Sequence, residues 1–267
     1  MKVGLSTWSL LSMDLLSAIQ TIGDAGFDYI ELWGEAPHAH PGWTNKKALK
    51  DALSTYNLLV TLHAPFTDLN PASPFQPVKG AVEKTLESFV TFGDDLGATI
   101  ITIHPGSVHS EAMIPTSAES SVVTLRKMVK VSGGRLAINV ENQTKSRSKY
   151  HFPLASTAES LDLILAEVDG LGFTLDTGHA HANGQNPVTL AQRAGPRLTE
   201  VHLSDNGGTS DDHLIPGEGT ADLNSILSEI SGKDILVCLE LDPHRYTTET
   251  VLHAASELKS RLAAPQA

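Results

Sequence analysis

The chain has 267 residues, 40% of them hydrophobic, a formal charge of −12 at pH 7 and a single cysteine, Cys238. That length suits one α/β barrel with a large core, and the acidic balance argues against a surface-wide nucleic-acid or membrane binder, though not against a local basic groove. One cysteine excludes an internal disulfide, no apolar stretch approaches a membrane span, and the opening MKVGLSTWSLL lacks the features of a secretory signal, so a cytoplasmic protein is expected.

Short β-rich runs alternate with longer stretches at helical spacing. In chain order the runs are KVGLS (2–6), DYIELW (28–33), LLVTLHAP (58–65), TIITIHPG (99–106), RLAINVEN (135–142), GFTLDTGH (172–179), LTEVHLSD (198–205) and ILVCLELD (235–242). Between them, Val82, Leu86, Phe89 and Val90 share one face of the third helical candidate, and Val251, Ala255, Leu258 and Leu262 one face of the last. Ser156 with Glu159 reads as a capping box, and the serines of AESS (118–121) as a helix start. Gly26, Gly97 and Gly133 follow predicted helices, where left-handed caps belong. No linker or low-complexity tract interrupts the series. Eight strand–helix units predict a (β/α)8 TIM barrel, α/β in class, as a single domain over 1–267.

The strands also state which way their side chains point. His63, His104, Glu141, Asp176, His202 and Glu240 each stand near the C-terminal end of a run. The residue before each is apolar (Leu62, Ile103, Val140, Leu175, Val201, Leu239), and the residue two before is polar or small (Thr61, Thr102, Asn139, Thr174, Glu200, Cys238). Because strand side chains alternate faces, the apolar set faces the helices and the polar set the barrel interior. The six then converge inside the C-terminal mouth, where such barrels carry their active sites. The Thr/Asn layer beneath them is expected to orient ligands. None of these strands ends in Lys or Arg, so the crowded carboxylates would repel unless a divalent metal joined them.

Other features sit around that mouth. Lys145, Arg147 and Lys149 in TKSRSKYHF form a basic cluster for a phosphate or a nucleic-acid backbone, or a merely solvated loop. Trp8 and Trp33 offer an apolar wall for a sugar ring, or ordinary rim packing. Glu31 points inward and reaches either substrate or a ligand histidine. His181 serves its loop, Cys238 packs beneath Glu240, and His38, His40, His109, His151 and His244 are read as surface or rim residues.

The segments HAPF at 63, HPG at 104, EN at 141, DTGH at 176, HLSD at 202, DDH at 211 and LE at 239 resemble the xylose isomerase-like barrel superfamily. That superfamily spans sugar isomerases and epimerases, inosose dehydratases and isomerases, and the endonuclease IV class (AP endonuclease family 2). The resemblance implies one divalent metal on Glu141, Asp176, His202 and Glu240, manganese first, with zinc, magnesium or cobalt also suited. It implies a small carbohydrate or polyol substrate (a sugar, a sugar phosphate or an inosose), and thus a place in carbohydrate metabolism. Glu141 and Glu240 would exchange a proton α to a carbonyl through a metal-stabilised enediolate.

The nuclease branch implies instead up to three zinc ions, a nucleic-acid substrate and phosphodiester cleavage, with His63, His104, His179, Asp211 and His213 as further ligands. Glycines 207, 208, 217 and 219 would fold the loop carrying Asp211 and His213 over the mouth. Three features depart from that branch: the stretch between His202 and the Asp211–His213 pair is shorter, Asp212 replaces its Arg between Asp211 and His213, and Phe66 replaces its Tyr. In the isomerase branch the same five residues bind either metal or substrate hydroxyls. A barrel of this size also suits a homodimer through rim loops. A binding protein that has lost activity is the remaining class, and the intact ligand set argues against it.

Overall fold

The computed structural model describes residues 1–146 and 148–263. Among them, eight parallel strands close into a barrel: β1 (Lys2–Ser6), β2 (Tyr29–Trp33), β3 (Leu59–His63), β4 (Ile100–Ile103), β5 (Ala137–Glu141), β6 (Gly172–Asp176), β7 (Leu198–Leu203) and β8 (Leu236–Leu239). Each strand pairs with its sequence neighbours, and β8 closes on β1. The surrounding helices are α1 (Leu15–Asp24), α2 (Lys46–Tyr56), α3 (Gln76–Leu96), α4 (Ile114–Ser132), α5 (Ala158–Glu167), α6 (Thr177–Ala182), α7 (Pro187–Ala194), α8 (Leu223–Glu229) and α9 (Thr248–Ala263). The expected α/β TIM barrel is therefore present. No helix among the described residues is long and apolar enough to cross a membrane.

The alternation of faces works as the strand period requires. Leu62, Ile103, Val140, Leu175, Val201 and Leu239 are buried in the layer between strands and helices. Val82, Leu86, Phe89 and Val90 of α3 and Val251, Ala255 and Leu258 of α9 join it, with Leu262 packed at its edge. Inside the barrel, Tyr29, Ile100, Leu236 and Cys238 plug the N-terminal end. Above the plug, Thr102 Oγ1 lies 2.8 Å from Thr174 Oγ1 and donates to Glu200 Oε2 at 3.2 Å, while Asn139 Nδ2 donates to Thr174 Oγ1 at 2.9 Å. This polar layer bonds partly within itself, but Thr61 Oγ1, Asn139 Oδ1 and Glu200 Oε1 find no partner.

The differences from the sequence reading are local. Strand β6 stops at Asp176 rather than running to His179, because the Asp176 carboxylate accepts the His179 N–H at 2.6 Å and starts α6. The capping box of α5 is Thr157 with Ser160, one residue beyond the expected Ser156 and Glu159. Thr157 has the extended backbone an N-cap needs, while the Ser156 hydroxyl is spent on Pro153 O. Ser120 and Ser121 lie inside α4, buried, and donate to Ser73 O and Pro105 O. His38 is buried, with Nε2 bonded to Met13 O at 3.1 Å. Gly97 ends α3 and Gly133 ends α4, both left-handed as expected.

A short antiparallel ribbon, Ser107–Val108 against Phe152–Pro153, ties the loops after β4 and β5 together at the mouth. The corrected cap can be checked by chemical denaturation. Thr157→Ala is expected to cost about 1 kcal/mol and Glu159→Ala less than about 0.5 kcal/mol; the reverse order would contradict the assignment.

Candidate active site

Glu141, at the end of β5, is the centre of the mouth and 1% exposed. Its Oε2 lies 3.3 Å from His63 Nε2 and 2.8 Å from His104 Nε2, and its Oε1 lies 3.3 Å from His202 Nδ1 and 3.6 Å from His179 Nδ1. Asp176, His202 and Glu240, from β6, β7 and the residue after β8, bring one ligand atom each within 4.8 Å of one another. Asp211 Oδ2 lies 3.0 Å from His179 Nε2 and 3.3 Å from His213 Nε2. The barrel thus gathers all nine candidate ligand residues into overlapping groups.

The imidazoles are fixed from behind. His63 Nδ1 bonds Ala64 O at 2.9 Å, His179 Nδ1 bonds Asn142 O at 2.7 Å, and His213 Nδ1 bonds Glu240 O at 3.2 Å. Since carbonyls only accept, these nitrogens carry the hydrogen and leave Nε2 as the lone pair. Each of those lone pairs meets a carboxylate oxygen, and two acceptors need a cation between them, whether proton or metal.

Without a metal, protons serve. Burial alone would lower His63 and His213, but Glu141 and Asp211 outweigh it and push both up to about 9. His179 and His202 rise well above the usual imidazole value against the same opposing burial. Glu141 is buried too, yet the charges of His104 and its neighbours hold it well below the carboxylate range. Glu240 goes the other way, to about 8, because burial outweighs its imidazole neighbours.

Among the candidate ligands, one group is left short of partners. Asp176 Oδ2, His202 Nδ1 and Glu240 Oε1 are buried without a hydrogen bond. Three orphaned ligand atoms, converging from three strands beside Glu141, are an expensive arrangement that a divalent cation would satisfy. His63, His104, His179, Asp211 and His213 have no such orphan. The donor set therefore fits a metal, and the unpartnered atoms of Asp176, His202 and Glu240 are among those it would satisfy.

Two residues that the sequence reading gave no role hold this geometry. Asn142 Nδ2 donates to Asp176 O at 2.9 Å and its Oδ1 accepts the Asp176 N–H at 2.8 Å, so it clamps the end of β6 from both sides. Asp205, 1% exposed, accepts the N–H groups of Asn206, Gly217, Gly219 and Ala221 at 2.8–3.1 Å. That carboxylate folds the loop carrying Asp211 and His213 back onto the mouth. A Cβ on Gly219 would lie 2.3 Å from Asp205 Oδ1, and Gly217 has φ +101°, so both must be glycine; Gly207 meets no such constraint.

Above these groups lies a cavity of about 420 Å³. Trp8, Trp33 and Phe66 form one wall, with Trp8 and Trp33 at 6.0 Å between ring centroids and Phe66 stacked on His104 at 4.4 Å. Asn70, Ser107 and Gln143 line it as well, and so does His151, which the sequence reading had left on the rim. No Lys or Arg lines it among the described residues. Lys145 belongs to a separate surface cavity with Lys149, because the loop is turned by Lys145 N donating to Asn183 Oδ1 at 2.7 Å. Arg147 lies outside the described residues. Glu31 is fully buried and absent from the cavity wall, and its carboxylate meets His202.

Residues 19–260 match the family model of the xylose isomerase-like TIM barrel. The chain belongs to that family. An uncharacterised protein of Methanocaldococcus jannaschii is 30% identical over 90% of this barrel and 83% of its own length. A fructoselysine 3-epimerase of Escherichia coli is 23% identical over 86% of each chain. Among solved structures, a D-tagatose 3-epimerase-like protein superposes with TM-score 0.87 at 28% identity, covering 98% of this chain and 97% of its own. The IolI protein, with a bound zinc atom, superposes with TM-score 0.80 at 20% identity over 98% of both chains.

The raised values carry a stability consequence for this xylose isomerase-like barrel. The contribution of His63 and His213 is complete below pH 6.5 and lost as pH rises through about 9. Glu240, raised from 4.5 to about 8, loses its contribution in the same direction. The melting temperature of chelator-treated protein should therefore fall by several degrees between pH 6.5 and pH 9, and saturating zinc should reduce the fall. A flat or rising profile in the chelated protein would contradict this charge arrangement.

Proposed function

We propose that the protein is a divalent-metal-dependent isomerase or epimerase of a small carbohydrate or polyol, with Glu141 and Glu240 as its acid/base pair. The observation that carries this reading is the orphaned trio of Asp176 Oδ2, His202 Nδ1 and Glu240 Oε1 beside Glu141, at the floor of an aromatic-walled cavity. The names of the 3-epimerase relative and the 3-epimerase-like structure support the reaction class.

Glu141, Asp176, His202 and Glu240 would hold the metal, and three carboxylates with one imidazole suit manganese first, with zinc, magnesium or cobalt as alternatives. When bound, such an ion polarises a carbonyl oxygen and stabilises the charge that develops as a neighbouring C–H proton leaves. The protein's own groups move that proton. Glu141 and Glu240 lie 3.3 and 3.4 Å from the same His202 Nδ1. In the metal-free protein the imidazoles hold Glu141 ionised and burial holds Glu240 protonated; a divalent ion would favour the charged form of both, leaving either carboxylate able to take the proton. Trp8, Trp33 and Phe66 would cover the apolar face of a sugar ring and exclude water. His63, His104, His179, Asp211 and His213 would bind its hydroxyls.

A second reading, a three-zinc phosphodiesterase acting on nucleic acid, draws on the grouping of His63 and His104 with Glu141 and of His179 with Asp211 and His213. The aromatic wall and the lack of a lining Lys or Arg among the described residues weigh against a polyanionic substrate.

Incubating the protein in deuterated water with a panel of ketoses and inososes, and following the α-proton by NMR, tests the first reading. Wild type should exchange at least one member, and Glu240→Gln should lose about 100-fold or more of that rate while still binding metal. Full exchange by the variant would sink the two-glutamate mechanism, and cleavage of an abasic-site duplex by wild type would favour the second reading.

A further inference from the structure

Beneath His202 lies a carboxylate that the proposed reaction does not use. Glu31, on β2, is fully buried and does not reach the cavity. Its Oε2 lies 2.9 Å from His202 Nε2, and its Oε1 faces the Cys238 thiol at 3.9 Å. His63, His179 and His213 hand their Nδ1 hydrogens to neutral backbone carbonyls and present Nε2 to the site. His202 reverses both features: its rear nitrogen meets a charged group, and it presents Nδ1. That Nδ1 is one of the three orphaned ligand atoms.

We infer that Glu31 is a positioning residue for metal binding: it holds the Nε2 hydrogen of His202, so that Nδ1 is left as the lone-pair nitrogen aimed at Asp176 and Glu240. A hydrogen bond to a carboxylate also raises the donor strength of the imidazole beyond what a carbonyl achieves, making His202 the strongest nitrogen ligand of the group. Swapping the carboxylate for an amide removes this asymmetry, since an amide NH2 donates to Nε2 as readily as its oxygen accepts. The ring is then free to carry its hydrogen on Nδ1, where it blocks the cation. The inference rests on the reading of His202 as a metal ligand.

Glu200 supplies the control. It is equally buried, carries the same type of side chain in the same interior layer, and lies 4.0 Å from His202 Nε2, but its hydrogen bond comes from Thr102. If any buried carboxyl group beneath the site serves, the two residues should matter alike. If the hydrogen bond is what matters, only Glu31 should.

The experiment is zinc affinity by chelator competition in wild type, Glu31→Gln, Glu200→Gln and His202→Gln, with the melting temperature of each metal-free protein measured alongside. Glu31→Gln should bind zinc about 10–100-fold more weakly than wild type and Glu200→Gln within about threefold of it, both retaining a cooperative melt. Affinity within about threefold for Glu31→Gln, or equal losses in the two glutamate variants, would overturn the inference. If Glu31→Gln does not fold, Glu31→Asp decides: a loss of about tenfold or more in a folded protein supports the inference, and no loss overturns it. Unchanged affinity in His202→Gln would bring down the ligand reading and this inference together. Weakened binding there, with none in Glu31→Gln, would bring down this inference alone.

Discussion

Glu141 lies within 3.6 Å of nitrogens from four imidazoles while being 1% exposed, and the site is organised around that charge. A carboxylate cannot stay ionised at such depth without positive charge beside it. Here the positive charge is on loan. His63, His179 and His213 are turned by backbone carbonyls so that their lone pairs face carboxylates, and those gaps must hold either protons or metal. The barrel supplies the rigidity for this. Strands β3, β5 and β6 end on a ligand and β7 carries one a residue before its end, and their register fixes where the ligands meet.

Much of this was legible in the sequence because it follows from a period of two. Once His63, Glu141, Asp176 and His202 stand at strand ends, alternation sends them all inside, and the apolar residues before them outside. The same rule placed Glu31 inward and left open whether it met substrate or a histidine. Interior depth decides that, and depth depends on the stagger of β2 against β8 through β1. The rule says nothing about loops. Lys145 is expected at the mouth because it follows Glu141 closely in sequence, yet with its N–H bonded to Asn183 it lines a neighbouring cavity that shares His151 and Pro153 with the mouth. Asp205 and Asn142 were missed for a related reason. Their roles consist of backbone N–H and C=O groups that arrive only when a loop closes, and no pattern of side-chain types announces that. The one-residue error in the α5 cap is of the same kind, since Ser156 and Thr157 are both good caps and backbone angle chooses between them.

The family resemblance left two chemistries open, and the cavity distinguishes them better than the ligands do. All nine candidate ligands assemble, which alone would suit either a one-metal or a three-metal site. What separates the groups is satisfaction. His63, His179 and His213 have hydrogen-bond partners already, whereas the group at Asp176, His202 and Glu240 retains three buried atoms with none. A wall of Trp8, Trp33 and Phe66 over that group, with no cationic side chain lining the cavity among the described residues, suits an uncharged ring more than a phosphate backbone. The loop pinned by Asp205 then places Asp211 and His213 in the wall of that cavity.

The most direct test of this account is the metal content of the purified chain, prepared without chelator, with manganese, zinc, magnesium, iron and cobalt quantified together. The account predicts about one tightly bound divalent ion per chain, most of it lost from Asp176→Asn. A wild-type chain that retains no metal, or one that retains about three zinc ions, would contradict it.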